Sequence, residues 1–199
     1  MIPMRWPGRP YLLLFAWLLA AVFAAPSHAA DWDIDQLMHG LAQTRSAQAR
    51  FVEKKSIAIL DQPVESSGEL LYTAPDRLEK RTVKPKPETM VVQGDNLQIE
   101  RGRQKIQLQL QAYPELAAFI DSIRGTLAGD RKALERSYQL SLEGSAQSWT
   151  FKLVPADSKM KQVVSLIRIA GVRDEIRSIH VTQVDGDSSL MLIEKVAPL

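Results

Sequence analysis

The sequence predicts a mainly β fold, in which an antiparallel sheet of about eleven strands is covered by two or three helices. Short segments separated by turn residues, such as 61–63 (Asp-Gln-Pro) and 185–187 (Asp-Gly-Asp), follow one another after residue 45. Several segments alternate apolar and polar residues, as Trp149, Phe151 and Leu153 do. Two other stretches place apolar residues at helical spacing. The length of the chain predicts that the sheet and the helices belong to one domain.

The first thirty residues have the pattern of a secretory signal peptide. Arg5 and Arg9 form a basic start, residues 11–25 are all apolar, and 27–29 (Ser-His-Ala) supply small residues for cleavage. We expect cleavage near Ala29, so that residues 1–29 are the signal peptide and residues 30–199 form one domain in the periplasm. An uncleaved membrane anchor is the alternative.

Composition excludes several classes of protein. The formal net charge of +2 comes from the two leader arginines, so the mature domain has no net charge to attract nucleic acid. No later stretch approaches the length of about 18 apolar residues that a membrane span needs. The chain has no cysteine, which excludes a lipid anchor on cysteine, a disulfide scaffold and a thiolate metal site.

Two helical regions are predicted. A short amphipathic helix over 33–44 follows acidic residues that suit a helix N-terminus. A helical insert over 113–136 begins near Pro114, which fits a first helical position. The insert separates six predicted strands from five. The turn residues place strands at 47–60, 64–74, 77–83, 88–93, 97–101 and 104–110 before it, and at 137–143, 148–154, 176–184 and 189–196 among those after it.

No catalytic constellation is found. His39 and His180 are not spaced as a metal-binding pair, and Ser145 lacks the Gly-x-Ser-x-Gly context of a nucleophile. We therefore predict no enzyme activity, metal or cofactor. The main charge feature is a basic cluster, interpreted either as a solvated strand face relieved by Glu79 and Glu88 or as a polyanion site, and it comprises Arg77, Lys80, Arg81, Lys84 and Lys86.

A sheet of about eleven strands can curl far enough to enclose more space than its own side chains fill. The helical insert would then lie over that space as a lid. The alternative is that the insert fills the space completely and the interior is an ordinary core.

Four segments resemble the periplasmic outer-membrane lipoprotein carrier protein family (LolA-like). Residues 46–51 (Ser-Ala-Gln-Ala-Arg-Phe) are similar to the start of the family's first strand, and 68–72 (Gly-Glu-Leu-Leu-Tyr) followed by Pro75 are similar to its Gly-acidic-Leu strand and proline turn. Residues 91–97 (Val-Val-Gln-Gly-Asp-Asn-Leu) and 151–155 (Phe-Lys-Leu-Val-Pro) resemble two further family segments. The resemblance spans roughly 33–196.

The resemblance implies an unclosed antiparallel β-barrel with a helical lid over a hydrophobic cavity. Family members shield the acyl chains of lipoproteins between an inner-membrane exporter and an outer-membrane acceptor, without a cofactor. Three departures indicate a divergent branch, whose cargo is a lipoprotein or another lipid. Ala74 replaces the arginine that helps to latch the lid, Glu53 replaces a glutamine, and Gln98 replaces an aromatic residue.

We therefore predict a monomeric periplasmic carrier that binds acyl chains and no nucleic acid. The alternative is a module of the same fold that senses lipid or lipoprotein together with a membrane partner. Each residue predicted to line the cavity could equally be ordinary core; these are Phe51, Leu70, Tyr72, Leu78, Met90, Val92, Phe119, Ile120, Ile123, Trp149, Phe151 and Ile167.

Overall fold

A computed structural model of the chain describes residues 32–196, and its eleven strands form one antiparallel sheet. The predicted leader lies outside the described residues. The strands are β1 (Ser46–Ser56), β2 (Val64–Thr73), β3 (Arg77–Lys84), β4 (Glu88–Gln93), β5 (Asn96–Arg101), β6 (Gln104–Gln109), β7 (Tyr138–Ser145), β8 (Ser148–Pro155), β9 (Val164–Val172), β10 (Glu175–Gln183) and β11 (Ser188–Lys195).

Two meanders make up the sheet, whose order is β6-β5-β4-β3-β2-β1-β11-β10-β9-β8-β7. Strands β1–β6 form one meander and β7–β11 the other. They join where β1 pairs with β11, with Phe51 opposite Ile193. Within residues 32–196, β6 and β7 are unpaired on their outer sides, so the barrel is unclosed and the predicted fold class is confirmed.

Three helices lie on one face of the sheet, called here the inner face. They are α1 (Ile34–Leu41), α2 (Pro114–Ala128) and α3 (Arg131–Glu135). Helix α1 begins at Asp33, whose carboxylate accepts a hydrogen bond from the backbone N–H of Gln36 at 2.8 Å. Asp130 caps α3 in the same way through the N–H of Ala133. Two short 3₁₀ turns, Leu110–Ala112 and Met160–Gln162, complete the described secondary structure.

The predicted insert over 113–136 is two helices because the first ends at Gly129. Gly129 has φ of +66°, a left-handed conformation that glycine adopts without strain. A Cβ atom there would lie 2.2 Å from the carbonyl oxygen of Met38 in α1, so the close approach of the two helices also requires glycine. The break lets the chain turn from the lid helix back to the sheet.

Two hydrophobic clusters lie on the inner face, one on each meander. The first packs α1 against β7, β8 and β9, with Leu37, Trp149 and Phe151 fully enclosed. The second packs α2 against β4 and β5 through Val92 and Leu97. Helix α1 therefore covers one meander, while α2 covers the other and also contacts the first cluster through Phe119. None of the helices in the described part of the chain is long and apolar enough to cross a membrane.

Candidate functional site

A cavity of about 710 Å³ lies between the two hydrophobic clusters. Its walls come mainly from β1, β2, β3, β4, β10 and β11, and from helix α2. It extends along the whole of β1, from Thr44 before the strand to Ile57 after it. The volume lies in the range of pockets that hold small molecules. The helices therefore do not fill the interior completely.

Eight of the twelve residues predicted to line the cavity do line it. From the sheet, they extend over three neighbouring strands, and from α2 they occupy one face of the helix. They are Leu70, Tyr72, Leu78, Met90, Val92, Phe119, Ile120 and Ile123. Whether they contact a ligand stays a prediction.

The other four predicted residues are buried core rather than cavity wall. Trp149, Phe151 and Ile167 belong to the cluster covered by α1, which fills the space on their side of the sheet. Phe51 points inward from β1 but packs against Gly68, where a Cβ atom would lie 3.0 Å from the ring. The ammonium of Lys80 lies 4.8 Å from the centroid of the Phe51 ring and covers it.

Small residues on β1 leave the space that the cavity occupies. Ala47 and Ala49 point inward and line the cavity opposite Leu70 and Tyr72. They were not among the predicted lining residues, although they alternate with Gln48 and Arg50 in the predicted strand. Strands β10 and β11 contribute an apolar wall that was not predicted either, and it includes Ile176, Ile179, Val181, Met191 and Ile193.

One buried carboxylate interrupts the apolar wall. Glu53 accepts hydrogen bonds from Lys80 at 2.5 Å, Ser189 at 2.7 Å and Ser66 at 3.3 Å. Burial raises the pKa of the Glu53 carboxyl. The hydrogen bonds from Lys80 and Ser189 and the charges of Lys80 and Lys55 lower it by more, so the pKa lies below its ordinary value. Glu53 is therefore ionised at neutral pH.

The family model for "Outer membrane lipoprotein carrier protein LolA-like" matches residues 24–198. The match covers most of the chain and all the strands described above. The chain belongs to the LolA-like family. Sequence comparison with individually characterised proteins gives no match.

The solved structures that match this LolA-like chain share little sequence with it. A LolA superfamily protein from Nitrosomonas europaea is 12% identical, with 84% of this chain and 94% of that one covered and a TM-score of 0.42. The MucA/MucB complex of Pseudomonas aeruginosa is 15% identical, with 83% of this chain and 57% of that one covered and a TM-score of 0.47. The lipoprotein LppX of Mycobacterium tuberculosis is 10% identical, with 83% of this chain and 94% of that one covered and a TM-score of 0.46.

The lid helix of this LolA-like protein is fastened at both sides. Arg124 on α2 donates a hydrogen bond to the carbonyl oxygen of Gly94 at 2.7 Å, in the turn between β4 and β5. On the other side, the hydroxyl of Tyr138 on β7 donates to the carbonyl oxygen of Ala118 at 3.0 Å. Ala74 has no side-chain donor to act as a latch, and Arg124 supplies an arginine contact from the lid itself.

Replacing Arg124 by alanine is expected to loosen the lid. A hydrogen bond from a charged group contributes about 2 kcal/mol, which corresponds to roughly thirtyfold faster opening of α2. Hydrogen exchange of the α2 amides measures this change. Asp121→Ala is the matched control, because it removes the exposed side-chain partner of Arg124 and keeps the contact with Gly94. Equal exchange in Arg124→Ala and wild type would show that this contact does not hold the helix.

Tyr138 is expected to ionise only in strong alkali. Burial raises the pKa of its hydroxyl from 10.0 to about 12. Because the folded pKa lies above the unfolded one, the stabilisation is present below pH 10 and is lost as the pH rises through about 12. Ultraviolet absorbance titration should show a late tyrosinate step that Tyr138→Phe lacks. A variant with the same titration curve as wild type would contradict the assignment.

Proposed function

We propose that this LolA-like protein is a periplasmic carrier that shields acyl chains during transfer from the inner to the outer membrane. The observation that carries the proposal is the cavity of about 710 Å³ between an apolar sheet face and a helical lid. Each buried methylene contributes about 0.8 kcal/mol, so enclosing a long acyl chain stabilises it by roughly 10 kcal/mol relative to water. The cargo is an acylated lipoprotein or a related lipid.

The proposal includes the expected leader. Residues 1–29 direct export, and residues 30–199 act in the periplasm as one carrier domain between an inner-membrane exporter and an outer-membrane acceptor. A binding role needs no catalytic group, and within residues 32–196 no cluster of three His, Cys, Asp or Glu side chains is placed to hold a metal ion.

Mass spectrometry of the protein purified from the periplasm tests this proposal. The full chain is expressed with its leader, and the purified protein is extracted with organic solvent to release bound molecules. A copurified acyl species, and uptake of a fluorescent fatty acid by the extracted protein, are the expected results. A protein that carries no acyl species and takes up no fatty acid would overturn the proposal.

A transfer assay separates carriage from sensing. Protein loaded with the fluorescent fatty acid is mixed with phospholipid vesicles, and the fluorescence that remains with the protein is followed. A carrier releases its load to the vesicles. Retention of the load in the presence of excess vesicles would contradict a carrier role and favour a sensing module.

A further inference from the structure

The Glu53–Lys80 ion pair lies on the wall of the cavity, where an apolar ligand alone would not need it. The Glu53 side chain is only 6% exposed and that of Lys80 is 23% exposed. Taking two charges out of water costs free energy that their mutual attraction does not always recover. An inward-facing ion pair on this wall therefore requires an explanation beyond stability.

The hydrogen bonds of Glu53 leave the carboxylate satisfied and Lys80 with spare donors. One carboxylate oxygen accepts from Lys80 and Ser66, and the other accepts from Ser189 and lies 3.7 Å from the ammonium of Lys55. An ammonium has three donors, and one of those of Lys80 is used on Glu53. Lys80 and Lys55 both line the cavity, so their remaining donors are available to its contents.

The two lysines and Glu53 carry one positive charge in excess. Of the other carboxylates of the cavity lining, one is paired with arginines, one keeps its negative charge near Lys55, and two lie at the opposite end. Glu79 binds Arg77 and Arg81, and the Asp187 carboxylate accepts from the backbone N–H of Ala58 at 2.8 Å. Asp174 and Glu175 lie at the other end, near Ala49 and its neighbour Lys195. The N–H donors of Lys80 and Lys55 that Glu53 does not use, rather than a net positive charge of the whole lining, are therefore what an anionic group in the cavity would meet.

We propose that Lys80 and Lys55, positioned by Glu53, form a subsite for the anionic oxygens of a lipid head group, a carboxylate or a phosphate. This inference rests on the proposed function, since the acyl chain of the same lipid occupies the apolar part of the cavity. The chain lies along Ala49, Leu70 and Ile120, and the head group meets the ammonium groups. Hydrogen bonds between charged groups are the strong ones, and low local polarity strengthens them.

Paired ligands with equal tails test the subsite. The affinity of the delipidated protein is measured at pH 8 for oleate and for oleyl alcohol, which share one tail and differ in the head group, an anionic carboxylate or a neutral hydroxyl. Wild type is expected to bind oleate about tenfold more tightly than the alcohol. In Glu53→Gln/Lys80→Gln, which removes both charges and leaves neither partner charged and unpaired, the preference should fall to about threefold, the share that Lys55 supplies, while the affinity for the alcohol is kept.

Two single variants complete the design. Lys55→Gln changes a side chain that is 53% exposed, so it keeps the test valid if the double variant does not fold, and it should lower the oleate preference about threefold. Lys54→Gln is the control, because Lys54 is the next residue on β1 and pairs with Glu65 at 2.9 Å instead of lining the cavity. It should keep the full preference.

The outcomes separate this inference from the proposed function. Binding of neither oleate nor oleyl alcohol would overturn the acyl cavity and the subsite together. Equal binding of both by wild type, or an unchanged oleate preference in Lys55→Gln and the double variant, would overturn the subsite alone. Inorganic phosphate and acetate distinguish a head group from a free anion, since neither should displace oleate; displacement by phosphate at equal concentration would overturn a site for lipid head groups.

Discussion

Replacing Ala49 by tryptophan is expected to weaken acyl-chain binding about a hundredfold while the fold is kept. The Ala49 side chain points into the cavity from β1, so an indole there occupies space that the ligand needs. Excluding about four methylenes costs about 3 kcal/mol, or about a hundredfold in affinity. Titration with a fluorescent fatty acid measures the loss, and circular dichroism checks the fold.

Arg50→Trp is the matched control for this experiment. Arg50 follows Ala49 on the same strand, is exposed and does not line the cavity, so its indole lies outside. Its fatty-acid affinity should equal that of wild type. Full binding by a folded Ala49→Trp protein would place the acyl site somewhere other than this cavity.

Replacing Trp149 by alanine is expected to destabilise the fold by about 3–5 kcal/mol. The Trp149 side chain is 2% exposed, packs within the cluster beneath α1, and donates an indole hydrogen bond to the carbonyl oxygen of Arg173 at 2.8 Å. The substitution leaves a void and strands that carbonyl. The free energy of unfolding in urea measures the loss.

Phe119→Ala is the comparison for the Trp149 variant. Phe119 packs against both hydrophobic clusters but also lines the cavity, so part of its surface already faces open space. Its loss should cost about 1–2 kcal/mol of unfolding free energy and a larger share of fatty-acid affinity. A Trp149→Ala protein with wild-type stability and lost fatty-acid binding would reverse the two assignments and return Trp149 to the cavity wall.

Local patterns were enough to predict the sheet and the helices. Alternation of apolar and polar residues and the turn residues between segments depend only on neighbours along the chain, so eleven strands could be counted from the sequence. The bounds were less accurate. Strand β1 was predicted to reach residue 60 but ends at Ser56, and Leu110 belongs to a 3₁₀ turn rather than to β6.

The division between cavity and core could not be predicted from the same patterns. Phe151 and Leu70 are both inward-facing apolar residues in strands, yet α1 covers the first and leaves space above the second. That difference is set by where the helices pack, which depends on contacts between distant segments. Ala47 and Ala49 were overlooked because small residues carry a weak apolar signal, although the cavity depends on their size.

Alternation also separates the predicted basic cluster into two faces. Arg77 and Arg81 lie outside and bind Glu79, which agrees with a strand face relieved by an acidic residue. Lys80, between them, points inward to Glu53. The partner of Lys80 is 27 residues away in the sequence, so only the pairing of β1, β2 and β3 brings the two together.

The pairing of β1 with β11 has a mechanical consequence. Each meander carries its own hydrophobic cluster, and the cavity lies over the seam between them. Because β6 and β7 are not paired with each other in the described chain, the pairing of β1 with β11 is the place where the sheet joins the two meanders. Helix α2 also bridges the two meanders, because Phe119 packs against both clusters, so a change of twist at this strand pair shifts α2 against at least one of them. The width of the cavity therefore depends on the lid helix as well as on the pairing of β1 with β11.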